Sequence, residues 1–321
     1  MSALVDELRP FWLRGIHGVT GRPERGLLGL LAQQRYQVYA PATRTSVTLS
    51  FADWDQVPAA FATDAARFSM AAFESAEGIM MSQSLPKSTA WLLIRSYYAA
   101  FFAVHALGGM LGQALTQLDA AAVGAVDTVV GAYGMQGAGG IHRGFYRCLA
   151  DGVAGTLRLV RVPSGGSHEV LWNEFITLLR RVTTGILSQP NGTATSQQAA
   201  ARLTEVEMAL TSAGTVAKGT WLSIVRNRVN YHHEFGSWFP YSERGKYCDA
   251  LLSRARKWSS EPDALTVRAS PGRDLEQFVD ACAVIVALCR ATCLDMAERC
   301  PSGGSFLDLT SARLLRQLQA A

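Results

Sequence analysis

Residues 88–111 read STAWLLIRSYYAAFFAVHALGGML. Apolar side chains occupy nearly every direction around a 3.6-residue turn. The stretch therefore predicts a helix buried on most of its circumference, at the centre of the fold. Ser88 offers a hydroxyl N-cap just after the Leu85-Pro86-Lys87 break. Working outward, an earlier helix is expected over 62–81, with Phe61, Ala65, Phe68, Ala72 and Ala76 on one side. Another follows the cap residue Ser167 in HEVLWNEFITLLRRV, where Leu171, Phe175, Leu178 and Val182 form a stripe. The polar SQPNGTATSQQ of 188–198 is expected as a loop, and helices resume over about 199–211 and 216–234, closed by Gly236.

Between Pro271 and Pro301 one long helix carries Leu275, Val279, Cys282, Val286, Cys289, Cys293, Met296 and Cys300. The spacing is 4-3-4-3-4-3-4, a heptad seam that packs either internally or against a second copy. Four of the six cysteines lie on it. Four thiols on one face of one helix cannot close a tetrahedron, so they read as small packing groups rather than metal ligands. The first sixty residues differ. RYQVYA (35–40) and TSVTLSF (45–51) flank a Pro41-Ala42-Thr43 break and suggest a β-hairpin. Residues 108–166 are rich in Gly and Ala and read as an irregular insertion with one or two short helices. The expected fold is thus an all-α bundle: an N-terminal segment over 1–60, a helical domain over 61–259 with its insertion at 108–166, and a C-terminal extension over 260–321.

The chain has 321 residues, 49% of them hydrophobic and 17% charged, a composition that suits a packed globular protein and excludes a disordered one. No run reaches eighteen apolar residues, and the start MSALVDELRP lacks an apolar signal core, so a cytoplasmic location away from membranes is expected. Net charge is +4, carried almost wholly by arginine, which permits a nucleic-acid partner without requiring one. Neither a metal nor a cofactor is expected. The glycine-rich GAYGMQGAGG (131–140) lacks the Lys-Ser/Thr of a phosphate loop, and His17, His142 and His168 stand isolated without metal-ligand spacing.

The candidate chemistry lies in WLSIVRNRVNYHHEFGSWFPY, residues 221–241. Leu222, Val225 and Val229 give this helix its core face. At about 100° per residue, Asn230 lies about 40° from Arg226 and His233 returns to within about 20° of it. Arg226 can clamp a phosphate through two parallel hydrogen bonds, and a histidine can move a proton at a ribose hydroxyl or a leaving oxygen near neutral pH. Asn227 or Asn230 can orient either group. Attack by the 2′-hydroxyl needs no metal, restricts the substrate to RNA and leaves a 2′,3′-cyclic phosphate. Trp238, Phe239 and Tyr241 are candidates for base stacking, although packing is the commoner fate of such rings. On the 88–111 helix, Arg95, Tyr98, Phe102 and His105 share a line, which we read as a paired arginine and a core histidine rather than a second polar layer.

This segment resembles the signature of the HEPN superfamily, an Arg and a polar residue followed by a His. Arg226-Asn227 opens the match, and His232 or His233 closes it, after five or six intervening residues. IRSYYAAFFAVHAL (94–107) is similar to the Tyr-Tyr-Ala helix that precedes the catalytic helix in many such domains. The resemblance covers about 60–256 and says nothing of the chain on either side. It implies a helical bundle that forms a homodimer with a composite cleft, catalytic Arg226 with His233 or His232, support from Asn227, Asn230 and Tyr231, and RNA as partner. It also implies a setting in toxin–antitoxin or anti-phage defence systems with a possible protein partner. Tyr231 precedes the histidines here, unlike the subgroup whose modifiable Tyr follows them. The rival expectations are an inactive binding or scaffold subunit and a nucleotide-binding regulator.

Overall fold

The computed structural model describes residues 2–21, 24–81, 88–137, 140–163, 165–189, 192–211, 220–239, 247–267 and 274–320. The break at Leu85-Pro86-Lys87, the expected helix start over 216–219, Tyr241 and Pro271 lie outside them. In chain order the elements are α1 (Ala3–Leu8), α2 (Leu27–Ala32), β1 (Gln37–Val38), β2 (Ser46–Ser50), α3 (Gln56–Met81), α4 (Thr89–Met110), β3 (Gln113–Leu118), α5 (Ala120–Ala132), β4 (Gly144–Asp151) and β5 (Thr156–Arg161). They continue with α6 (Ser167–Leu187), α7 (Ala194–Thr211), α8 (Trp221–Tyr231), α9 (Tyr247–Ala255), α10 (Asp274–Glu298) and α11 (Ser311–Ala320).

Helices dominate, but the all-α expectation is corrected by a five-stranded antiparallel sheet in the order β1-β2-β5-β4-β3. The suggested N-terminal hairpin forms, with Gln37 opposite Ser50 and Val38 opposite Leu49. Its second strand goes on to pair with β5, Ser46 facing Val160 and Ser50 facing Thr156. The stretch expected to be irregular therefore supplies three strands and α5. Strand alternation carries this: in β5 Leu157 and Leu159 are buried while Arg158 is exposed, and in β2 Val47 and Leu49 are buried. The β4–β5 turn closes on Asp151, whose carboxylate accepts the N–H groups of Val153 and Ala154, and on Gly155 at φ +64°.

α4 is the hub. It packs against α3, α10, α8, α6, α9 and β3. Its burial is incomplete, however: Trp91 is 58% exposed, and Tyr98, Phe101, Phe102 and His105 are only partly covered. Ser88 occupies the N-cap position, but its hydroxyl makes no capping bond; the Ala90 N–H donates to the Ser237 carbonyl instead. α10 is more thoroughly enclosed. Val279, Cys282, Val286, Cys289, Cys293 and Met296 are all buried inside this chain, so the seam packs internally. α4 and α10 have the length and apolarity of membrane spans, yet 67% and 83% of their apolar windows are buried in the fold.

Candidate functional site

α8 buries Leu222, Val225 and Val229 as its core face and crosses α4. Beside that face the half-buried Arg226 enters a box of tyrosines. Its guanidinium carbon lies 5.7 Å from the Tyr97 ring, 5.4 Å from Tyr98 and 5.7 Å from Tyr231. One terminal nitrogen donates to the Tyr98 hydroxyl and the other to the Asn227 side-chain oxygen at 2.7 Å. The Nε–H is buried without an acceptor, and among the described residues no carboxylate pairs with this cation. A guanidinium held by neutral rings and one amide keeps its charge available to an incoming anion.

The helix ends earlier than its spacing suggested. Tyr231 is its last residue, and the C-cap His232 donates its N–H to the Arg228 carbonyl at 3.2 Å. His233 takes a left-handed backbone, φ +52°, and Phe235 another at +64°. The expected alignment of His233 with Arg226 is thereby corrected, because the 100° step stops at Tyr231. Both histidines are exposed, and among the described residues neither has a hydrogen bond or ring contact with Arg226. Of the two candidate amides, Asn227 meets the guanidinium and Asn230 does not. Trp238 donates its indole N–H to the Val229 carbonyl at 2.8 Å and packs edge-on against Trp91, while Phe239 stays 64% exposed.

The histidine that does approach this group is His168, near the start of α6, which the sequence left isolated. The Tyr97 oxygen lies 2.8 Å from its Nδ1, and the Trp172 indole N–H donates to that same oxygen at 3.1 Å. An indole nitrogen can only donate, so the phenol oxygen accepts from Trp172 and joins it to the imidazole through one atom. Burial, and then the charge of Arg226, push the His168 pKa below the usual histidine value. His168 and Trp172 lie four apart in sequence and so share a helix face, the one local sign that they act together.

His105 sits against Phe68 at 4.4 Å and Phe101 at 5.0 Å, and burial with the charges of Arg67 and His168 lowers its pKa to about 3. Arg95 donates to the Gly78 carbonyl. The six cysteines are buried, and burial raises the Cys282 and Cys289 thiols. Among the described residues no group of three His, Cys, Asp or Glu side chains is placed to hold a metal ion. Comparison with family models, curated proteins and solved structures found no match to this chain.

Proposed function

We propose that the chain is a HEPN-like, metal-independent endoribonuclease of a prokaryotic anti-phage or toxin–antitoxin system, acting as a homodimer. The observation that carries the reading is Arg226, a cation fixed by tyrosines with no carboxylate partner among the described residues, on a helix that ends at two exposed histidines. Arg226 would hold the scissile phosphate and stabilise the charge that grows on it. His232 or His233 would take the proton from the 2′-hydroxyl, and a second histidine, brought by the other copy, would protonate the leaving 5′-oxygen. The partly covered Tyr98, Phe101 and Phe102 along α4 offer that copy an aromatic seat. Two left-handed, non-glycine residues at the site, His233 and Phe235, are the kind of backbone outlier that clusters at functional positions.

The test is purified protein with single-stranded RNA, with and without EDTA. Cleavage that survives chelation, ends in a 2′,3′-cyclic phosphate, spares a 2′-deoxy substrate and is lost in Arg226→Ala and in the double His232/His233→Ala variant fits the proposal. Cleavage abolished by chelation sinks it. The missing contact between Arg226 and either histidine favours one alternative, an inactive HEPN-like binding subunit. In that case RNA is retained by the wild type, released by Arg226→Ala and never cut.

A further inference from the structure

A second basic feature belongs to the sheet and is independent of the Arg226 site. On the row facing away from the buried Val47, Leu49, Leu157 and Leu159, the strands set Thr48, Arg158 and Leu149 side by side in register, and Asp151 lies opposite Thr156. Residues 10–14 form part of the wall over this row, anchored by the Leu13 N–H to the Met110 carbonyl at 2.8 Å. Arg181 of α6 forms another part and donates to the Leu111 carbonyl at 3.1 Å. Between them lies an open cleft of about 550 Å³.

Three arginines, Arg14, Arg158 and Arg181, line this cleft, against one carboxylate, Asp151, which is engaged in its own turn. Among the described residues none of the three has an acidic partner. The Arg14 and Arg181 side chains donate to backbone carbonyls, and the Arg158 side chain has no hydrogen-bond partner among the described residues. Several arginines outside the cleft, Arg9, Arg147, Arg254 and Arg290 among them, each reach a carboxylate. Partial desolvation and the nearby Arg147 also work against the charge of Arg181. Like charges gathered around one cleft repel, and an anion placed among them removes that cost. Gly152 fits the same purpose, since a side chain there would begin 2.6 Å from the Arg14 Cβ. Phe11 and Trp12 add flat apolar surface to the wall.

Planar guanidinium forks suit phosphate oxygens, aromatic rings suit a base, and a volume of this size accepts one small ligand. We propose that the cleft binds a nucleoside triphosphate, with its phosphates on Arg14, Arg158 and Arg181 and its base against Phe11 and Trp12. Three cations offset by one carboxylate favour a polyphosphate over a monophosphate.

The full chain is titrated by calorimetry with ATP, GTP, adenosine and inorganic triphosphate, and each is added in a thermal melt. ATP or GTP should bind and raise the melting temperature, adenosine should not, and affinity should fall with salt. Arg158→Glu and Arg14→Glu should each weaken nucleotide binding by about tenfold or more, without lowering the ligand-free melting temperature. Arg226→Ala should bind nucleotide as the wild type does, so failure here and failure of the nuclease reading are separable. Inorganic triphosphate binding as tightly as ATP overturns the nucleotide assignment. So does binding that survives both charge reversals, or an oligoribonucleotide that binds where ATP does not.

Discussion

Tyr97 serves two partners with one oxygen: it accepts the Trp172 N–H and lies 2.8 Å from the His168 Nδ1. Tyr97→Phe leaves the fully buried Trp172 N–H unpaired, and urea denaturation should show a loss of about 1–3 kcal/mol. Burial and the charge of Arg226 hold the His168 pKa below the usual histidine value, so Arg226→Ala should raise it in an NMR titration; no change would show that this charge does not reach the ring. His105 gives a different signature. Its folded pKa lies near 3, below the value of about 6.5 in an unfolded chain, so the unfolded state binds its proton first as pH falls. Stability from this group is complete above about 6.5 and is lost toward pH 3, at up to about 1.4 kcal/mol per pH unit. His105→Phe should flatten that slope in denaturation curves taken across the range. At this scale the sequence disclosed Arg226 and its tyrosine helix, because both lie in continuous helical patterns. It hid His168, whose partner Tyr97 is 71 residues away. It also misplaced His233, since no glycine marks the left-handed turn that ends α8.

The long helices were legible as elements because an apolar period of 3.6 survives in a single sequence. α10 kept its seam, but burial around most of its circumference says it runs through the core instead of along a docking face. Val286→Asp should therefore act on folding and not on assembly. An unpaired charge at a position 1% exposed should cost about 3–5 kcal/mol and lower the melting temperature in calorimetry. A stable monomer carrying that aspartate would contradict the packing. The strands of 113–161 were harder to see. TLRLVR alternates cleanly, with Arg158 out between Leu157 and Leu159, and the glycine-bounded turn before it marks a hairpin. β4, by contrast, buries only Tyr146 and Cys148, and its surroundings are rich in Gly and Ala, so the period of two is faint.

Across the whole molecule, the first residues close onto the end of α10. Arg9 makes two 2.7 Å hydrogen bonds to Asp295, which Arg299 also reaches, and Leu4, Val5 and Leu8 are buried. Asp295→Ala removes the carboxylate shared by Arg9 and Arg299, leaving Arg9 with Asp6, and should destabilise by about 1–3 kcal/mol. Limited proteolysis should then cut within residues 3–9 before any other site; an unchanged digestion pattern would show that the apolar contacts alone hold the segment. The sheet has a related long reach, and it bears on synthesis. Val160 is made 114 residues after its neighbour Ser46 (160 − 46). At roughly 5–20 residues per second this leaves roughly 6–23 s in which the nascent hairpin emerges with an open, hydrogen-bonding edge. During that interval other chains on the same message can pair with it. Slow translation of the glycine-rich stretch before Val160 would lengthen the exposure and lower the yield of folded protein, without altering a single contact of the finished one.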